Sequence, residues 1–132
     1  MNKDRIQYIA GLFDIGGCVR VENPGKDQRA SLYVWVTSKH FELMEVLQAI
    51  GAHIGKKQDG QYRAKWRDGR AQLLLRQLLP YLVVRKEQAK LGIEFMDQRK
   101  QKPDENEDQI FRIRLKLLKK GEEEGDQNVI RK

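Results

Sequence analysis

A chain of 132 residues, 39% of them hydrophobic, is long enough to bury one core and needs no second domain. Its 26 Lys and Arg outnumber 19 Asp and Glu, and because residues 1–100 hold 18 basic and 11 acidic side chains while residues 101–132 hold 8 of each, the whole net charge of +7 lies in the first hundred residues. Such a field concentrates polyanions, which puts nucleic acid ahead of an anionic membrane surface as the partner class.

In chain order, Ile6, Ile9, Ala10, Leu12 and Phe13 recur at helical spacing and predict a first helix over about residues 3–14. Gly16-Gly17 should end it, since positive φ carries no steric cost there. "CVRVEN" then alternates as a half-buried strand, "NPGKDQ" (23–28) supplies a turn, and "RASLYVWVTS" alternates again. Thr37 or Ser38 is placed to cap a helix carrying Phe41, Leu43, Met44, Val46, Leu47 and Ile50, with Gly51 as its stop. Two short basic strands, "AHIGKKQ" and "QYRAKW", flank the hairpin dipeptide Asp59-Gly60. "RAQLLLRQLLPYL" predicts a short helix ended by Pro80, and "VVRKEQAKLGIEFMDQRK" a longer one. "QKPDENEDQ" is a polar linker. A last helix over 109–120 and a disordered tail complete a C-terminal extension (101–132) to the domain at 1–100.

The order is α-β-β-α-β-β-α-α, an α+β chain whose alternating strands give one sheet with an apolar face for helices to cover. The other face would carry Arg20, Glu22, Arg29, Ser31, Tyr33, Trp35, Gln61, Arg63, Lys65 and Arg67. Charges alone suit a solvated surface, but Tyr33 and Trp35 among them gain more from a partner than from water. A curved antiparallel ribbon can enter the major groove, where Arg and Gln pair with base edges and Lys neutralises phosphates. One cysteine, Cys18, excludes an internal disulfide and fits a reducing compartment. With His40 and His53 alone it cannot complete a zinc site without carboxylates or a second chain. The N-terminal apolar run is too short for a signal peptide and nothing approaches a membrane span, so the expectation is a soluble protein of the cytoplasm or an organelle.

Three stretches together point to a family. "YIAGLFDIGGCVRV" resembles the motif of LAGLIDADG homing endonucleases, in which a helix leads into the first DNA-contacting strand. "YVWVTSKHFELMEVLQAIGAHIG" is similar to that family's strand, helix and glycine-bearing turn, and "LLLRQLLPYLVVRKEQAKLGIEF" to its "PYL" segment; the three span residues 6–97 with the same order of elements. The resemblance implies an αββαββα fold with a saddle-shaped antiparallel sheet and helices on one face. The single motif copy implies a homodimer, with Ile9, Ala10, Gly11 and Phe13 as expected interface residues, and double-stranded DNA with a pseudo-palindromic target as partner. In such proteins the eighth motif position carries an acid that binds divalent metal, Mg²⁺, at the scissile phosphates.

Counted from Ile9 to Gly17, that position is Gly16, which has no ligand atom. Asp14, at position six, is the one carboxylate left to substitute, and it lies about 200° around the helix from Gly16. Ser38 and Arg85, the latter beside Lys86, match positions that carry polar or basic groups in active members. The resemblance thus implies a cleavage-deficient DNA-binding homodimer. An active Mg²⁺-dependent endonuclease, an RNA-binding intron maturase and a structural protein without a nucleic-acid role are the alternatives, and the charge distribution argues against the last.

Overall fold

A computed structural model of the protein describes residues 2–25, 29–57, 59–101 and 105–131. Helix α1 (Lys3–Gly16) is opened by Asn2, whose side-chain oxygen accepts the Arg5 N–H at 2.8 Å, satisfying one of the amides a helix start leaves bare. It leads directly into strand β1 (Gly17–Glu22). The Gly-Gly junction does not use positive φ: Gly17 has φ −86°. Glycine is needed there for space, because a Cβ on Gly17 would overlap the Phe13 ring.

Strand β2 (Ser31–Ser38), helix α2 (Phe41–Ala49), strand β3 (His53–Lys56) and strand β4 (Tyr62–Arg67) follow, and then α3 (Gly69–Leu78), a 3₁₀ turn (Leu79–Tyr81), α4 (Lys86–Gln101) and α5 (Glu105–Arg131). Neither Thr37 nor Ser38 caps α2; His40 holds that position, and the Ser38 hydroxyl accepts the His40 N–H at 3.1 Å instead. Gly51 does stop α2, with φ +98°, a conformation that costs other residues a Cβ clash. Asp68, also at positive φ (51°), makes the one-residue connection from β4 to α3. Its Oδ1 accepts the Leu32 N–H at 3.0 Å and an Arg99 N–H at 2.9 Å, and these contacts offset a backbone strain of about 1–3 kcal/mol.

The four strands form one antiparallel sheet in the order β1-β2-β4-β3. Period-two alternation and this register set Val19, Val34 and Trp66 in one inward row and Val36, Ala64 and Ile54 in the next. Helices cover that inner face, and Phe13, Leu32, Val34, Leu47, Leu75 and Phe95 are buried in the core between them. Trp66 fills its centre with its indole N–H donated to the Ile50 carbonyl at 3.3 Å.

Two expectations change at the C-terminus. α5 starts before residue 109 and continues past 120, across most of the stretch expected as a disordered tail. It is anchored by packing the local sequence does not announce: Phe111 and Leu115 are buried in the core, Phe111 meets Phe95 edge-on with ring centroids 5.8 Å apart, and α5 lies along β1. The polar linker and the 23–28 turn fall partly on residues 102–104 and 26–28, outside the described residues. Among the described residues no helix is long and apolar enough to cross a membrane.

Candidate nucleic-acid interface

The outer face of the sheet is built by the same alternation that builds the core. Cys18, Trp35, Lys65 and His53 align across all four strands; Arg20, Tyr33 and Arg67 form the next row, and Thr37 and Arg63 with Gly55 another. Cations lie over the two aromatic rings: the Arg63 guanidinium is 4.6 Å from the Trp35 centroid, and Lys65 Nζ and the Arg67 guanidinium are 5.4 and 5.5 Å from that of Tyr33. Each such contact contributes about 0.5–1 kcal/mol near solvent. Between them Glu22, Asn23, Tyr33, Trp35, Arg63 and Lys65 line a hollow of about 220 Å³. His53, Lys65, Arg67 and Arg70 border a second basic hollow.

Several of the ten expected face residues have other duties. Arg29 precedes β2 and gives its guanidinium to Asp108 of α5, at 3.1 and 3.3 Å, because a carboxylate buried as deeply as Asp108 requires a counter-charge. Ser31 has outward register opposite Glu22 but is 1% exposed, and its hydroxyl accepts an Arg67 N–H at 3.2 Å. Arg67 also pairs with Asp68 at 3.4 Å. Gln61 lies in the hairpin turn, where its N–H meets Asp59 and its carbonyl meets Lys57. Thr37, His53 and Arg70 belong to this side and are not announced by the sequence: a two-residue Asp59-Gly60 turn would pair His53 with Trp66 on the inward row, whereas the observed register pairs Lys56 with Tyr62 and so brings His53 opposite Lys65 on the outer one.

At the end of α1 the motif residues occupy quite different environments. Asp14 accepts three backbone N–H groups, from Val83 and Arg85 at 2.9 Å and Val84 at 3.0 Å. Arg85 in turn opens α4, its carbonyl accepting the Ala89 N–H at 2.9 Å, so Asp14 caps α4 from across the molecule. Gly16 faces partly outward, and a Cβ there would meet only the Thr37 carbonyl oxygen at 3.8 Å, ordinary contact. The fold thus gathers Asp14, Gly16, Arg85 and the Thr37-Ser38 strand end around one tip. A divalent ion finds no carboxylate at Gly16, and both Asp14 oxygens serve amide donors. Among the described residues no three His, Cys, Asp or Glu side chains converge to hold a metal. One copy of this tip therefore offers a divalent ion no carboxylate free of the fold's own hydrogen bonds.

The two sides of α1 also sort differently from expectation. Ile9, Ala10 and Phe13 are buried in the chain's own core, Phe13 at 0% exposure, and so cannot face a partner. Of the four expected interface residues only Gly11 looks out, with nothing within 4 Å of its Cβ position. The outward stripe is Tyr8, Gly11, Leu12 and Ile15, with Tyr8 56% and Ile15 85% exposed.

No protein-family model and no curated protein matches the chain. Solved structures do. The homing endonuclease I-CvuI, in complex with the I-CreI target in the presence of 2 mM Mg with the DNA not cleaved, superposes with a TM-score of 0.77 at 22% identity, over 88% of this chain and 82% of that one. The archaeal intron-encoded homing endonuclease I-Vdi141I complexed with DNA gives 0.62 at 19% identity, over 73% and 69%. The LAGLIDADG meganuclease I-AabMI bound to uncleaved DNA gives 0.64 at 18%, over 76% of this chain and 38% of that longer one. At these identities the likeness is one of architecture: five helices on an open four-stranded antiparallel sheet, the fold of the LAGLIDADG homing endonucleases.

Proposed function

We propose that this chain is a homodimeric double-stranded-DNA-binding protein of the LAGLIDADG homing endonuclease family that has lost cleavage. The observation that carries the reading is the outer sheet face, where Arg20, Arg63, Lys65 and His53 stand with Tyr33 and Trp35 across a register that leaves them facing away from the core. On a solvated surface two aromatics held under cations gain only the modest stabilisation of those contacts, whereas a groove-binding sheet uses cations for phosphates and base edges alike. Solved proteins of the same fold are bound to DNA.

The stripe Tyr8, Gly11, Leu12 and Ile15 supports the dimer. Gly11 costs about 1 kcal/mol in a helix interior, a cost offset if a second backbone approaches there. Two copies related by a two-fold axis read a site with matching half-sites. Gly16 and the engaged Asp14 support the loss of cleavage, since a metal ion that activates water needs oxygen ligands.

Selection of bound sites from random duplex DNA, followed by incubation of the winning duplex with Mg²⁺ or Mn²⁺, tests the reading. The expected result is a symmetric site, bound and left intact. Metal-dependent cutting overturns the catalytic part, and failure to enrich any duplex overturns the DNA assignment.

A further inference from the structure

Resting on the reading of the outer face as a duplex-DNA surface, we infer that Arg63 is a base-reading residue selecting guanine in the major groove, with Trp35 as its positioning platform. The arginines near this face divide into two kinds. Arg29 and Arg99 are tied to Asp108 and Asp68, and Arg67 spends Nε on Asp68 and Nη2 on Ser31. Their guanidinium edges are consumed by the fold.

Arg63 makes no ion pair among the described residues. Its guanidinium lies over Trp35 at 4.6 Å, and its Nε is buried without a hydrogen-bond partner. With Nε buried, Nη1 and Nη2 are the donors left to meet a partner, beside the open hollow that Arg63 lines together with Trp35. A planar fork of two donors matches two acceptors side by side. In the major groove guanine alone offers that pair, N7 and O6.

The surroundings permit the approach. Arg63 lies on β4, one of the two inner strands, and its cross-strand neighbour on β3 is Gly55, which has no side chain and open space at its Cβ position. Lys65, two residues on, carries a compact charge near Tyr33 and has the chemistry of a phosphate contact.

The test is selection from random duplex DNA by the wild-type chain and by Arg63→Ala, Arg63→Lys and Trp35→Leu, followed by affinity measurements on the selected site with each base in turn. Wild type should select guanine at one position per half-site, with discrimination of about 5- to 150-fold over other bases. Arg63→Ala and Arg63→Lys should bring that ratio close to one while the remaining positions keep their preferences. Trp35→Leu should leave guanine preferred at a reduced ratio. An unchanged motif bound more weakly at every sequence by Arg63→Ala would make Arg63 a phosphate contact and overturn the inference alone. If wild type enriches no duplex at all, the underlying reading falls and the inference with it.

Discussion

The outer face of the sheet and the tip of α1 are products of the same strand-helix junction, yet their chemistry has diverged. The face distributes its capacity over many side chains: Arg20, Tyr33, Trp35, His53, Arg63 and Lys65 each add a small term, and no single loss abolishes the field. The tip depends on a few atoms. Gly16 supplies no ligand, and Asp14 is held by three amides. Binding by a surface degrades gradually with substitution, whereas metal chemistry fails with one missing carboxylate. A protein can therefore retain the first and lack the second.

The sharpest probe of this contrast is Asp14→Ala. Losing three hydrogen bonds to a charged acceptor, with Val83 and Val84 exposed enough for water to replace part of them, should cost about 2–3 kcal/mol and lower Tm by roughly 8–12 °C in thermal unfolding. DNA affinity of the folded protein should be unchanged. A loss of affinity without a loss of stability would mean that the tip takes part in binding and would erase the contrast.

Gly11→Leu comes next. The single chain has room for the side chain, so the fold should persist while the proposed seam between two α1 helices becomes overpacked by about 1–3 kcal/mol, raising the dissociation constant of the proposed dimer by about 5- to 150-fold. Sedimentation velocity reads this directly, and an unchanged dimer would move the interface elsewhere. The smallest effect belongs to Lys65→Ala: loss of one phosphate contact should weaken binding several-fold and reduce the slope of log K against log salt by about 0.9. An unaltered slope would remove Lys65 from the phosphate contacts.

Much of the fold was legible because periodicity reports it. The alternation in "CVRVEN" and "RASLYVWVTS" marks β1 and β2, and Asp59-Gly60 marks the hairpin between β3 and β4. What pattern could not report was decided between elements distant in the chain. Both sides of α1 are apolar, so spacing alone could not tell that Ile9, Ala10 and Phe13 turn inward while Tyr8, Leu12 and Ile15 turn outward. Arg29 has the parity of a face residue but is drawn to Asp108, 79 positions away. The reason for Gly17, a clash with an aromatic ring, is equally invisible to turn chemistry. The limits of α5 escaped for the same cause, since Phe111 and Leu115 find their partners on α4 and the sheet.

The Asp14 contacts carry a consequence for the order of assembly. They join residues 69 to 71 positions apart, and the chain between them contains the whole sheet, α2 and α3. Closing so long a loop costs entropy that three hydrogen bonds alone do not repay. Asp14 therefore engages once the intervening layers are in place, and its carboxylate slows the unfolding of a finished domain far more than it speeds the formation of one.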